Sequence, residues 1–98
     1  MWMLYLLYIN TNTGLDPSRV QAQLTTAAHS WYRISSTAWV ICSTQPGQAA
    51  HWWTEYLSPL VKAHKGTMLV VRFDPNDRFG LMGKQFWDWF DLHSADPY

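Results

Sequence analysis

Charged side chains are scarce in this sequence. Asp, Glu, Lys and Arg make up 14% of its 98 residues, whereas aromatic residues make up 16% and include seven Trp. So few charges cannot cover the surface of a small monomer generously, and we expect some apolar surface to contact a partner. A symmetric homodimer is the favoured arrangement, because isologous pairing is the commonest way in which a small domain covers such a patch.

An excess of positive charge is also missing. Lys and Arg together number seven, and so do Asp and Glu, which leaves a formal net charge of zero. The chain therefore lacks the excess of Lys and Arg that is typical of proteins that bind the nucleic acid backbone. Binding of nucleic acid would depend on a local cluster of basic residues.

The chain has a single cysteine and no long apolar run. Cys42 has no second cysteine with which to form an intrachain disulfide, and nothing else indicates an oxidising compartment. The apolar residues 1–9 are too few to cross a bilayer, and they lack the basic region and cleavage site of a signal peptide. We therefore expect a cytoplasmic protein without membrane association, and we predict a strand for this segment.

The pattern of apolar and turn-forming residues predicts one domain over residues 1–98, with the element order β-α-β-β-α-β-α. Strands are predicted at residues 3–9, 31–34, 37–42 and 67–73. Three helices are predicted. The first covers about residues 17–30, and the second runs from the turn at residues 44–47 to near Ser58, where Pro59 loosens the last turn. The third follows Gly83.

This order predicts an α+β fold, a ferredoxin-like βαββαβ sandwich with an extra C-terminal helix. In such a sandwich two right-handed crossovers place both helices on one face of a four-stranded antiparallel sheet. The extra helix is expected to cover an edge of the sheet or to cross to a second subunit.

Several segments, taken in their order along the chain, carry a resemblance to a known group. They are residues 31–41 (WYRISSTAWVI), 57–60 (LSPL), 67–71 (TMLVV), 79–82 (FGLM) and 86–90 (FWDWF). With them the chain resembles the small bacterial and phage proteins labelled "SinR family", which are similar in turn to the CRISPR-associated ferredoxin-like adaptation nucleases. The resemblance implies a ferredoxin-like fold and a two-fold dimer built by adding strands or C-terminal segments. For the CRISPR relatives it also implies duplex binding and metal-dependent cleavage that uses an Asp at the end of the first strand.

The sequence departs from this group at the end of the first strand. The matching position is Asn10, or at most Thr11 or Asn12, and no Asp lies between Met1 and Leu15. Magnesium is bound through one or two carboxylates, and a neutral amide supplies an oxygen without neutralising charge. We therefore expect binding rather than cleavage at this loop, with Asn10, Thr11 and Asn12 as candidate contacts to a phosphate or a base edge. A polar loop with local hydrogen bonds is the alternative.

Two further groups of residues are candidates for binding. Lys62, Lys65 and Arg72, with His64 between the two lysines, form the one basic cluster of the sequence, and Arg19 and Arg33 would add to it if folding brought them near. Trp52 and Trp53 point about 100° apart on a helix, so both cannot enter one core. One of these indoles is expected at a subunit or partner contact, and base stacking is the rival use.

A metal site is not indicated by the sequence. The four His show no zinc-binding spacing, and Cys42 has no neighbouring base. We therefore predict no cofactor and a non-catalytic homodimer that binds a protein partner or duplex nucleic acid. The alternative is a nuclease that depends on a divalent metal such as Mg²⁺ and uses Asp74 or Asp77 after the last strand. A third hypothesis is a purely structural dimeric accessory protein.

Overall fold

A computed structural model describes residues 3–11, 14–74 and 82–94 of the chain. Its strands are β1 (Met3–Thr11), β2 (Ser30–Arg33), β3 (Ala38–Ser43) and β4 (Gly66–Phe73). Its helices are α1 (Pro17–Ala27), α2 (Ala50–Ala63) and α3 (Lys84–Ser94). The predicted element order β-α-β-β-α-β-α is confirmed, and the protein has a small α+β fold. Within the described residues, none of the helices has the length and apolar character needed to cross a membrane.

The four strands form one antiparallel sheet in the order β2-β3-β1-β4. β1 is central and pairs with β3 on one side and with β4 on the other. Because side chains alternate along a strand, β1 divides its apolar residues between both faces of the sheet. This division explains why the strand reads as a continuous apolar run in the sequence.

The main core lies between one face of the sheet and the helices α1 and α2. Val20 and Leu24 of α1, and Trp53, Leu57 and Val61 of α2, are buried there. The sheet contributes Met3, Tyr5, Leu7, Ile9, Trp39 and Ile41. Trp39 and Ile41 of β3 therefore both point toward these helices, a direction that the alternating pattern by itself leaves open.

The third helix covers part of the opposite face of the sheet. Phe86 and Phe90 of α3 are buried against Leu4, Val40 and Cys42. The indole Nε1 of Trp89 donates a hydrogen bond of 2.9 Å to the hydroxyl of Ser30 in β2. The helix therefore packs on a face of its own sheet, and not at an edge of the sheet or across to a second subunit as the sequence leads us to expect.

The predicted bounds of the second helix are wrong at both ends. The helix begins at Ala50, after the turn at residues 44–47, and it continues through Pro59 to Ala63. Proline removes one backbone hydrogen bond, to the carbonyl of Glu55, but both residues lie on the exposed side of α2, where water can satisfy that carbonyl. Burial of Leu57 and Val61 on either side of Pro59 stabilises the continuous helix.

The first helix is shorter than predicted, and it ends at Ala27 rather than near residue 30. Its start is as predicted, because the Asp16 side chain caps the helix and Pro17 occupies the first position. Ser30 already belongs to β2. The local pattern continues across this boundary because Ala28 and Trp31 also pack against the core.

Candidate functional site

Asn10 and Thr11 form the end of the central strand, where the sequence predicts a recognition loop. They pair with Thr67 and Gly66 of β4. Asn10 is exposed and lies on the same face of the sheet as Leu6 and Tyr8. Its amide is therefore open to a ligand or a partner. Asn12 lies outside the described residues.

Thr11 has a local structural role. Its hydroxyl Oγ1 accepts a hydrogen bond of 3.2 Å from the backbone N–H of Leu15. This bond closes the connection between β1 and α1, so that the alternative of local loop bonding holds for Thr11. Gly14, within the connection, has a positive φ of 66°, a conformation that favours glycine.

Gly66 allows β4 to approach this strand end closely. A Cβ atom added to Gly66 would lie 2.7 Å from the carbonyl oxygen of Asn10 and 2.6 Å from Cγ2 of Thr11. The absence of a side chain at Gly66 is therefore needed for the position of the Asn10 backbone. No signal in the sequence indicates this role, because it depends on β1, which is distant in the chain.

A small cavity lies beside the end of β1. It has a volume of about 180 Å³, and its lining residues come from β1, α1 and the β2–β3 hairpin: Ile9, Asn10, Thr11, Leu15, Pro17, Val20, Ser36, Thr37 and Trp39. The hairpin reaches this position because the backbone N–H of Ile9 donates to the carbonyl of Thr37 at 2.8 Å. The sequence does not indicate this contact, since the hairpin and the strand end are far apart in the chain.

The cavity is lined by neutral side chains. The indole N–H of Trp39 is buried and has no hydrogen-bond partner within the part of the chain that the structure describes. The same indole nitrogen is almost wholly covered by surrounding atoms, so a ligand in the cavity would reach it only after a rearrangement. The cavity therefore gives a concave surface beside the end of β1, and its lining contains no carboxylate of the kind that binds Mg²⁺.

Four cations are placed at the same end of the sheet as Asn10. Lys62 lies in the last turn of α2 and Lys65 in the turn that leads into β4. Arg19 follows the start of α1, and Arg33 ends β2. Arg19 and Arg33 therefore lie at the same end of the sheet as the two lysines, because β1 ends here, β4 begins here and the β2–β3 hairpin turns here.

Asp16 lies between the two arginines and has a structural role. The pKa of its carboxyl is held below its ordinary value, chiefly by the hydrogen bond from the backbone N–H of Ser18 at 3.0 Å. The charges of Arg19 and Arg33 lower it further. The carboxylate is therefore ionised at neutral pH, and its hydrogen bond to the helix start gives it no free role in acid or base catalysis.

Arg72 lies at the other end of the sheet and does not join the two lysines. It pairs with Tyr5, six positions along β4 from Gly66, which is about 20 Å at the rise of a strand. Burial raises the pKa of the Tyr5 hydroxyl, and the charge of Arg72 partly opposes that effect. The basic cluster read from the sequence is therefore divided in the fold.

Asp74 also lies at this far end. It follows Phe73, which pairs with Leu4 near the start of β1, so it is remote from Asn10 within one subunit. Asp77 lies outside the described residues. The described part of the chain contains no group of three or more His, Cys, Asp and Glu side chains that is able to hold a metal ion. Asp74 is therefore not a neighbour of Asn10, and the alternative of a metal site at Asp74 or Asp77 stays a prediction.

Trp52 and Trp53 have different environments, as the helical geometry requires. Trp53 is fully buried in the main core. Trp52 is half-buried, with its ring stacked on that of Tyr56 at a centroid distance of 5.0 Å and an angle of 16°. Trp52 is therefore the indole that is available to a partner.

The remaining candidates have ordinary surroundings. His51 contacts Glu55 at 3.1 Å across one helical turn, and both side chains are largely exposed. Cys42 is buried against α3 and has no exposed surface for a reaction. His93 is buried and its Nδ1 lies 2.7 Å from the carbonyl oxygen of Trp89.

Comparison of the chain with protein families, with curated proteins and with solved structures finds no significant match.

Proposed function

We propose that the protein is a non-catalytic, homodimeric binding protein with a ferredoxin-like fold. The strand order β2-β3-β1-β4, with α1 and α2 on one face, supports this fold because both βαβ crossovers of the sandwich require that order. The neutral Asn10 in place of a carboxylate supports binding over cleavage. Incubation of the protein with RNA or DNA and Mg²⁺ or Mn²⁺ tests the non-catalytic part, and cleavage that is lost in Asp74→Ala would contradict it.

The observation that carries the proposal is an uncovered apolar patch on the sheet. We call it the sheet patch, and it consists of Leu6, Tyr8, Leu69 and Val71, which are 40, 41, 57 and 42% exposed. Leu6 pairs with Val71, and Tyr8 with Leu69, so the four side chains are contiguous on the face that α3 covers only in part. Asn10 and Thr67 extend this surface and are uncharged.

A second copy of the chain fits the sheet patch best. An apolar surface without charge can face itself across a two-fold axis with no repulsion between like charges. Contiguous apolar patches of this kind on small proteins mark interaction sites. A stable dimer buries about 800 Å² per subunit, so the side chains around the patch also take part.

The oligomeric state tests this proposal. We expect the wild-type protein to sediment as a dimer of twice 11.4 kDa and Leu69→Glu to sediment as a monomer. A buried, unpaired carboxylate on each subunit should raise the dimer Kd by about 100-fold or more. Ile34→Glu is the matched control, because Ile34 is 38% exposed but lies in the β2–β3 hairpin. A wild-type monomer at ~100 µM would contradict the dimer.

The cations at the Asn10 end support duplex nucleic acid as a ligand of the dimer. Binding of a short duplex should weaken as salt rises, with a slope of about 0.9 per phosphate contacted. The double variant Lys62→Ala/Lys65→Ala should lower that slope by about 1 to 2. Lys84→Ala is the control, since Lys84 lies on α3 and contacts Asp88 at 2.7 Å. Equal effects of both variants would contradict a duplex site at this end of the sheet.

A further inference from the structure

A shallow depression on the outer side of α2 combines aromatic rings with a carboxylate. It is lined by Trp52, Glu55 and Tyr56 and has a volume of about 260 Å³. These residues are spaced i, i+3 and i+4, so they are neighbours on one face of the helix. We call this surface the α2 shelf.

The rings of the α2 shelf are held in place by the core and by α1. The Trp52 ring meets the buried Trp53 ring edge to face, at 4.9 Å and 86°. The hydroxyl of Tyr56 donates a hydrogen bond of 3.0 Å to the carbonyl of Gln23 in α1. A ligand therefore meets rings that are already ordered, and little side-chain entropy is lost on binding.

The chemistry of the α2 shelf selects a cation. An indole face attracts a positive charge through its quadrupole, and a carboxylate beside it adds a direct ion pair. The Glu55 side chain is 70% exposed, and its Oε1 lies 3.1 Å from Nε2 of His51, which leaves the second oxygen for a ligand. The negative charge of Glu55 repels phosphate, so base stacking by nucleic acid is disfavoured at this surface.

The shape of the shelf selects a planar cation. The rings of Trp52 and Tyr56 are stacked on each other, 5.0 Å apart and 16° from parallel, so the stack presents the flat face of an outer ring and not the steep walls of a cage around a spherical ammonium group. A guanidinium group stacks on such a surface and presents paired N–H donors to a carboxylate at its edge. We propose that the α2 shelf binds an arginine side chain of a protein partner.

This inference specifies the partner contact of the binding protein proposed above. The inference rests on that proposal only for the biological role of the α2 shelf. Arginine binding itself does not depend on the dimer, because the α2 shelf and the sheet patch are different surfaces. Each test therefore has its own outcome. If the protein is a dimer that does not bind arginine, the proposal for the α2 shelf is wrong and the proposed dimer stands. If it is a monomer that binds arginine, the proposed dimer is wrong and the proposal for the α2 shelf stands.

The test uses the whole protein and N-acetyl-arginine methylamide as the probe. Binding is followed by the NMR shift of the Trp52 indole N–H, which is assigned by its loss in Trp52→Phe. One cation–π contact of about 2 kcal/mol and one exposed ion pair of about 1 kcal/mol, the upper values for such contacts, together give a Kd on the order of 10 mM. The citrulline analogue is the matched control ligand, because it keeps the shape of arginine without its charge.

Variants separate the two parts of the site. Glu55→Gln should weaken binding about 2- to 5-fold, because it removes an exposed ion pair. Trp52→Leu should weaken it roughly 2- to 30-fold, because it removes the stacking surface. Asp88→Asn should have no effect, since Asp88 is also an exposed helical carboxylate paired one turn away, at 62% side-chain exposure.

Several outcomes would overturn the inference. These are equal binding of the citrulline analogue, tighter binding of tetramethylammonium than of arginine, an unchanged Kd in Glu55→Gln, or no saturable shift up to ~100 mM probe. Far-ultraviolet circular dichroism of Glu55→Gln should match the wild-type spectrum, because the substituted side chain is exposed and isosteric.

Discussion

Replacement of Gly66 by Ala should destabilise the protein through a clash with the backbone of the central strand. The added methyl would lie 2.7 Å from the Asn10 carbonyl oxygen and 3.2 Å from Cγ1 of Val61. Thr11 Cγ2, at 2.6 Å, can turn away only by a rotation that also moves the Oγ1 bonded to the Leu15 N–H, and the Asn10 carbonyl can move only with the β1–β4 ladder.

The expected loss follows from two opposing terms. Overpacking of this kind costs about 1–3 kcal/mol, and contact with backbone places it near the upper limit. Ala also restricts the unfolded chain, which returns about 0.4–1 kcal/mol. The free energy of unfolding should therefore fall by about 2 kcal/mol, which lowers the Tm of a domain of this size by about 8–16 °C.

Thermal and urea denaturation followed by circular dichroism measure this change. Gly47→Ala is the control, because nothing lies within 4 Å of its added Cβ and its φ is not positive. Gly14→Ala measures the cost of an unfavourable backbone conformation without a steric clash, since nothing lies within 4 Å of its added Cβ but its φ is 66°. A loss below ~0.5 kcal/mol for Gly66→Ala, or an equal loss for Gly47→Ala, would refute the argument from close approach.

Two further predictions concern the ends of the helices. Asp16→Ala should lower the Tm by a few degrees, because it removes the hydrogen bond to the Ser18 N–H. Because folding lowers the pKa of Asp16, its contribution to the free energy of unfolding is complete above its ordinary pKa of 3.8 and is lost as the pH falls further. A wild-type protein that remained more stable than Asp16→Asn in strong acid would contradict this. Gln48→Leu should lower the free energy of unfolding by about 1–3 kcal/mol, measured in urea, because Gln48 bonds the buried Ser43 hydroxyl at 2.5 Å and the Ala27 carbonyl at 3.2 Å. If the free energy of unfolding fell no more in Gln48→Leu than in Gln45→Leu, the stabilising role of these two hydrogen bonds would be contradicted.

Strands and caps were predictable because their signals are local. The apolar run of β1, the alternation in β3 and the strand before Asp74 were all recognised within a residue or two. The start of α1 at Pro17 was predictable as well, since Asp followed by Pro is a common local signal for a helix start. The end of α2 was missed because Pro59 is a local break signal that the burial of Leu57 and Val61 overrides.

The candidate site was predictable only in part. Asn10 was identified from its position after an apolar strand, and the exposure of its amide supports a role in recognition. The separation of Arg72 from Lys62 and Lys65 follows from the predicted strand at residues 67–73, because each residue of a strand advances the chain by about 3.3 Å, so the three cations could not form one cluster. The role of Gly66 depends on a partner strand that is over fifty positions away in the chain.

By itself the sequence determined the order of the elements, the neutral end of the first strand and the scarcity of charge. These properties depend on residue identity and on short-range periodicity. Only the tertiary structure decided that α3 covers part of one sheet face and leaves the side chains of the sheet patch exposed. Only it placed Trp52 beside Tyr56 and Glu55 with a rigid support, and it gathered four cations at the Asn10 end. Such properties arise from contacts between distant segments, where packing selects one face of each element over the other.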